Sequence, residues 1–259
     1  MKQAFGAMAI VMAAGCGSAD RVPDLTQAVV HIDNSQTGGY CTGGLIAPNL
    51  VLTARHCVAS MTVQGAGCSG ARFGRNVEPQ HLRVVFTEPG SSELWLADRL
   101  DSHFAQARLI LTPEFEDDSA CGRDIAAIVL DHDVPLDVAE PFGIRPEPDA
   151  EPGGSVEMIG FGATQDGVIR TRTSSAGSIS CVRSRCDVRL TNAEFMSDYF
   201  GCTGDSGAPV IDIERKLLGV HTAAFPPQGE RCGGQALAVS VPYYADPFIQ
   251  ESLEIASSL

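Results

Sequence analysis

The nine residues Gly201-Cys202-Thr203-Gly204-Asp205-Ser206-Gly207-Ala208-Pro209 hold the densest chemistry in the sequence. Glycines on either side of an Asp-Ser pair let the backbone turn sharply and bring N–H groups together beside an exposed hydroxyl. Converging amides of this kind hold a developing oxyanion. A serine hydroxyl alone is a poor nucleophile. It needs a base within hydrogen-bond reach, and the base needs a third group to fix its tautomer and steady the imidazolium. Of the six histidines, five lack a distinguishing context. The sixth, His56, closes Leu52-Thr53-Ala54-Arg55-His56-Cys57, just after an apolar run and beside a cysteine that could staple its loop to Cys41. Among the carboxylates, Asp124 stands at the mouth of the apolar run Ile125–Leu130, whereas Asp117, Asp118 and Asp131 read as solvated loop acids. The expected roles are Ser206 as nucleophile, His56 as general base and Asp124 as the group that orients it.

Rigid elements must hold such groups. From Gln27 onward, short β-branched and apolar runs alternate with Gly, Pro, Asn and Asp clusters, which predicts an all-β sandwich or barrel. Expected strands include 28–32, 50–53, 82–86, 125–130, 156–159, 210–213 and 217–220. Helical spacing is found only at the end, where 243–255 is expected to form a helix. The stretch Asp133–Gly154, with three X-Pro steps after Arg145, reads as a linker between two halves.

A formal charge of −14 and a pI near 4.7 repel phosphate backbones, so nucleic acid is not an expected partner. Lys2, the apolar stretch Ala4–Ala14 and the small residues before Cys16 read as a signal peptide with its cleavage site. No later segment approaches the ~20 apolar residues of a membrane span. Ala13-Ala14-Gly15-Cys16 resembles the lipobox of bacterial lipoproteins, which makes Cys16 the lipidated first residue of the mature chain and Gly17–Pro23 a tether. An ordinary signal peptide and a secreted soluble protein are the alternative. Setting Cys16 aside leaves eight of nine cysteines, an even number suited to disulfides in an oxidising compartment. They are scattered, with no CxxC pair, so no metal site is expected.

Four blocks, Cys41-Thr42-Gly43-Gly44-Leu45-Ile46, Thr53-Ala54-Arg55-His56-Cys57, Asp124-Ile125-Ala126 and Gly204-Asp205-Ser206-Gly207, resemble those of the trypsin/chymotrypsin family of serine peptidases, in the same His, Asp, Ser order. Val239-Ser240-Val241-Pro242-Tyr243-Tyr244 is similar to that family's entry into its C-terminal helix. The resemblance implies two antiparallel six-stranded β-barrels with the active site between them and a short C-terminal helix. The implied division is a signal peptide at 1–15, a tether at 16–23 and a peptidase domain at 24–259, with one barrel over about 24–135 and the other over about 136–259. It further implies an oxyanion hole from the N–H groups of Gly204 and Ser206, disulfides Cys41–Cys57 and Cys202–Cys232, a protein or peptide substrate and no cofactor. The remaining four cysteines allow three pairings, of which Cys68–Cys121 with Cys181–Cys186 is preferred for proximity.

Two features depart from the family. No Ile-Val-Gly-Gly-like start is present to supply an ammonium for Asp205; the nearest string is Arg21-Val22-Pro23-Asp24. Asp205 is expected to take an internal partner such as Arg145, with a freed Val22 as the alternative. At the specificity pocket the resemblance places Phe200 on the floor and Ala223 and Ala224 on the wall, with no acid to receive Lys or Arg. A short apolar pocket for small residues follows. Its rival rests on Gly219-Val220-His221-Thr222, because glutamyl endopeptidases of this superfamily carry a histidine at the similar position. Two other classes are weighed: a catalytically silent surface binding protein on the same scaffold, and an α/β-hydrolase esterase. The second lacks the required Gly-x-Ser-x-Gly spacing and residue order.

Overall fold

The computed structural model describes residues 24–64, 68–87, 104–145, 150–163, 171–186 and 190–259. The expected lipidation site Cys16, the tether and Val22 lie outside them. The chain opens with β1 (Val29–Asn34), β2 (Gly39–Ala47) and β3 (Leu50–Thr53). Strands β4 (Ala59–Val63) and β5 (Ala71–Asn76) form a separate ribbon, and β6 (Leu82–Val85), β7 (Phe104–Leu111) and β8 (Ala126–Leu130) return to the first three. These close a barrel in the order β1-β2-β3-β8-β7-β6. After the connection 131–154 come β9 (Ser155–Gly160), β10 (Thr173–Val182), β11 (Glu194–Ser197), β12 (Pro209–Asp212), β13 (Leu217–Phe225) and β14 (Gln235–Ser240). They close a second barrel, β10-β11-β14-β13-β12-β9. Neighbouring strands are antiparallel in both. This is the architecture expected from the sequence.

Residue type explains which strands were legible. β3 and β8 are buried along their whole length and apolar except for Thr53 at the end of β3, so each reads as a short continuous hydrophobic run. β2 is interrupted by Gly43 and Gly44. A Cβ on Gly43 would lie 2.6 Å from Val51 Cγ1, and one on Gly44 3.3 Å from Pro209 Cβ and 3.4 Å from the Phe142 ring. Glycine is needed there because a neighbouring strand and the second barrel both come close. β10 is largely exposed and polar, so its pairing with β9 and β11, rather than burial, specifies it.

The C-terminal helix begins later than expected. Pro242–Tyr244 form a 3-10 turn, Asp246 is extended at φ −132° and ψ 131°, and α1 spans Gln250–Ser257. Asp246 precedes Pro247, whose ring disfavours helical backbone at the preceding residue. α1 docks against barrel 1, where Asn49 Nδ2 donates to the Ala256 carbonyl at 2.9 Å.

The connection 131–154 bonds to both barrels. Phe142 N–H donates to Leu45 O, and Leu217 N–H donates to Gly143 O, each at 2.8 Å. The Phe142 ring is buried beside Gly44 at the junction of the barrels. Removing it leaves a cavity that strands held by their own ladders cannot collapse into. Phe142→Ala is therefore expected to lower unfolding free energy by about 3–5 kcal/mol in urea denaturation.

Candidate active site

His56 lies in the 3-10 turn Arg55–Cys57 that ends β3, entered from an extended Ala54. The Cys41–Cys57 disulfide ties this turn to β2. Asp124 stands one residue before the buried run that enters β8. Its Oδ2 is 2.7 Å from His56 Nδ1, and its Oδ1 accepts the His56 backbone N–H at 2.9 Å. One carboxylate thus fixes both the main chain and the ring of the same residue. With Nδ1–H donating to Asp124, Nε2 is left as the proton acceptor. Burial acts to lower the His56 pKa, but the charge and hydrogen bond of Asp124 together outweigh it, and the net shift is upward from 6.5.

The Asp124 loop is anchored by Glu194 at the head of β11 and Tyr244 in the turn after β14, to neither of which the sequence reading assigned a role. The Gly122 N–H donates to Glu194 Oε1 at 3.0 Å, while the Tyr244 hydroxyl donates to the Gly122 carbonyl. Glu194 Oε2 also accepts the Thr191 amide and hydroxyl at 2.8 and 2.9 Å.

The Ser206 loop belongs to barrel 2 but is fastened to barrel 1. Thr42 N–H donates to Ser206 O, and Thr42 Oγ1 donates to Gly204 O, both at 2.8 Å. The same hydroxyl accepts Phe161 N–H at 3.0 Å, and the Thr42 carbonyl accepts Thr53 Oγ1 at 2.8 Å. Gly207, at φ +86°, must be glycine, since a Cβ would sit 2.1 Å from both Thr42 O and Thr53 Oγ1. Gly204, at φ +99°, passes under Tyr40 with equal constraint: a Cβ would lie 2.3 Å from Tyr40 Cε2. Among the described residues, the N–H groups of Gly204 and Ser206 have no hydrogen-bond partner. Both residues line a cleft of about 510 Å³ together with His56. No hydrogen bond joins Ser206 Oγ to His56 Nε2 in the free protein, and such contacts commonly tighten only when substrate binds.

Asp205 is 3% exposed. Its Oδ1 accepts Gly162 N–H at 2.8 Å and its Oδ2 accepts Cys202 N–H at 2.9 Å, with no cation paired to it among the described residues. The expected partner Arg145 is elsewhere: it pairs with Asp212, which also accepts the amides of Glu214 and Lys216. Arg145 follows Ile144, which bridges to Leu217 at the turn between β12 and β13, and that path carries it away from Asp205. Burial pushes the Asp205 carboxyl up to about 6 despite its two amide donors.

Beside Ser206 the cleft is lined by Cys202, Thr203, His221, Ala223, Ala224, Pro226 and Arg231. Phe200, expected on the floor, does not line it. Its half-exposed ring lies against Gly233 and borders a neighbouring pocket that also reaches Asp205. Thr222 does not line it either: the register slips between His221 and Ala223, leaving Thr222 as the extra residue of a bulge, with its hydroxyl on Leu237 O at 3.3 Å. The His221 ring is 1% exposed, with Nδ1 3.0 Å from the Tyr199 hydroxyl. Burial, reinforced by the charge of His56, pushes its pKa down to about 3, so the ring is neutral. Four disulfides are present: Cys41–Cys57, Cys68–Cys121, Cys181–Cys186 and Cys202–Cys232. The one trio of metal-ligating residue types among the described residues, Cys41, His56 and Cys57, has both sulfurs bonded to each other.

A family model described as Trypsin matches residues 17–247. The CLIP domain-containing serine protease B10 of Anopheles gambiae is 27% identical over 184 residues, which are 66% of this chain and 50% of that protein. A trypsin of Saccharopolyspora erythraea is 23% identical over 209 residues, 75% of this chain and 78% of its own. The chain therefore spans half the length of the Anopheles relative.

Asp205 gives a pH signature. Its folded pKa lies above the unfolded 3.8, so its stabilisation is complete below about pH 4 and is lost as pH rises through about 6. Two pKa units amount to about 3 kcal/mol. Urea denaturation from pH 4 to pH 7 is expected to show that loss in the wild type and not in Asp205→Asn, whatever the variant's absolute stability.

Proposed function

We propose that this chain, which belongs to the trypsin family of serine peptidases, is an exported endopeptidase that hydrolyses peptide bonds through an acyl-enzyme. The observation that carries the reading is the meeting, in one cleft, of Ser206 with two amides that have no partner among the described residues and of His56, whose ring Nδ1 and backbone N–H are both held by Asp124. Ser206 Oγ attacks the substrate carbonyl carbon as His56 Nε2 takes its proton, and Asp124 stabilises the resulting imidazolium. The oxyanion is received by the N–H groups of Gly204 and Ser206, which have no internal bonds to give up. Collapse of the intermediate expels the amine, which leaves with the proton from His56, and water then repeats the sequence to release the acid.

Among the described residues no Asp or Glu lines the cleft, which speaks against Lys or Arg at the cleaved position. The walls at Ala223 and Ala224 suit a short side chain. For the chain as a whole we retain a signal peptide over 1–15, a tether over 16–23 lipidated at Cys16, and a peptidase domain over 24–259, displayed on a bacterial cell envelope. The disulfides support this, because they use the other eight cysteines and leave Cys16 as the ninth. No helix among the described residues is long and apolar enough to cross a membrane. The second reading, a silent binding protein on the same scaffold, lacks the broken triad it would ordinarily show.

Labelling of the export-processed protein with a fluorophosphonate probe decides between the two: a signal lost in Ser206→Ala marks an activated serine, and an unlabelled wild type favours the binding protein. In the active enzyme, kcat/KM is expected to rise with pH through an apparent pKa above 6.5, because His56 must be neutral to accept the proton. Asp124→Asn should lower that pKa and cut kcat on the order of 10³- to 10⁴-fold.

Thr42→Val keeps the side-chain shape but removes the hydroxyl, orphaning the Gly204 carbonyl and the Phe161 amide. A displaced oxyanion hole raises the barrier more than it weakens binding. The expected result is a fall in kcat of about 10- to 100-fold with KM changed much less, measured by steady-state kinetics.

A further inference from the structure

A groove of about 570 Å³, sharing no residue with the cleft, runs between the connection from β7 to β8 and the C-terminal segment. Leu111 and Phe115 line it from the first, and Tyr243, Tyr244, Phe248 and Ile255 from the second. Of these, Phe115, Tyr243 and Ile255 are exposed. Large apolar side chains scattered singly over a surface need no explanation, but three lining one concavity mark a place where something docks. The walls are already in place. The Tyr244 hydroxyl is bonded to the Gly122 carbonyl, and the Tyr244 ring meets those of Phe115, Tyr243 and Phe248 edge-on at 6.3, 5.1 and 6.2 Å. An occupant therefore finds aromatic surface that needs little ordering on binding.

Charge selects the occupant. Glu114, Asp246 and Glu251 also line the groove, all three exposed, and no Lys, Arg or His lines it among the described residues. None of the three carboxylates makes a hydrogen bond or ion pair with a described residue. Arg123, stacked on the Phe115 ring at 4.4 Å, is already paired with Asp117. Anionic headgroups, phosphate backbones and acidic peptides meet like charge here. A second copy of this chain, at −14, brings mostly the same sign. A single cation would answer one carboxylate, whereas three carried on two separate segments call for several cations at once. Lysine and arginine suit such a surface, because their stems cover apolar side chains while their heads reach the rim.

We propose that this groove docks a basic peptide segment of a partner protein, one in which arginines or lysines flank a bulky apolar side chain. The apolar side chain packs among Phe115, Tyr243 and Ile255, and the cations pair with Glu114, Asp246 and Glu251. Arginine serves better than lysine, since its planar head can bond a carboxylate bidentately and stack on an exposed ring such as that of Tyr243. Docking takes place outside the cleft and does not depend on the peptidase reading. An enzyme recruiting its substrate and a silent binding protein would use the groove alike.

The test uses the export-processed chain carrying Ser206→Ala, so that no peptide is consumed. It is titrated calorimetrically with capped hexapeptides: one alternating Arg with Leu and Phe, one with Gln for each Arg, one with Glu for each Arg, and one with Ser for each Leu and Phe. The expected result is at least tenfold tighter binding of the Arg–apolar peptide than of the other three, weakening as salt is raised. Glu114→Gln combined with Glu251→Gln should lower that affinity at least tenfold, and Tyr243→Ala at least threefold, with urea midpoints unchanged. Equal binding of the Arg and Gln peptides, or of the apolar and Ser peptides, overturns the proposal. Binding unaltered in both groove variants places the peptide elsewhere and overturns it too. Arginine amide binding as tightly as the hexapeptide would make this a small-molecule site, and a sedimenting dimer lost in Tyr243→Ala would make it a self-interface; either overturns the peptide docking. Fluorophosphonate labelling of the wild type bears on the peptidase reading alone. An unlabelled protein that still binds the Arg–apolar peptide in the groove supports this proposal while that reading falls.

Discussion

Thr42 makes the contact on which the remaining geometry depends. It lies in β2, among the residues of barrel 1, and bonds through its amide and hydroxyl to the carbonyls of Ser206 and Gly204 in barrel 2. Carbonyls that accept from Thr42 are turned away from the cleft, so the adjoining amides are left to line it. The same contact sets the distance between the histidine loop and the serine loop, because Thr42 is also bonded to Thr53, three residues before His56. The two positive-φ glycines follow from this closeness, since neither site has space for a Cβ. Specificity of sequence in the loop is therefore a packing requirement as much as a chemical one.

Charge is distributed with similar economy. Asp124 gives both oxygens to His56, while Glu194 gives one to the turn that delivers Asp124 and the other to Thr191. Asp205, like Glu194, has hydrogen-bond donors but no counter-charge among the described residues, and burial raises its pKa. Two carboxylates near one site thus differ in environment. The one facing the imidazole is partly solvated and paired, and the other is enclosed beneath the serine loop.

The proposed triad was read from groups whose roles would require a local backbone device. Ser206 is marked by flanking glycines, His56 by its cysteine and the preceding apolar strand, and Asp124 by the buried strand it introduces. All-β architecture was legible for the same reason, since short apolar runs between turn residues can bury themselves in few other ways. Contacts made through the main chain were not. Thr42 and Tyr244 stand inside family-like blocks, but neither they nor Glu194 reveal by residue type which carbonyl or amide distant in sequence they bond. Arg145 was misplaced as the partner of Asp205 for a related reason, as charge complementarity ignores where a turn directs the side chain. Phe200 was assigned by counting back from Ser206, and counting cannot see which way a ring folds over Gly233.

The allocation of groups between the barrels has a temporal consequence. His56 and Asp124 lie before residue 130, whereas Ser206 and its amides come some eighty residues after Asp124, on strands that must themselves close into a ring. In a chain delivered N-terminus first, the proposed base and orienting acid are complete long before the proposed nucleophile exists beside them. The assembly is silent until the last strands, β13 and β14, dock and the Thr42 bonds form. On the peptidase reading, order of synthesis alone would shield neighbouring unfolded chains, and this chain's own unfinished half, from being cut.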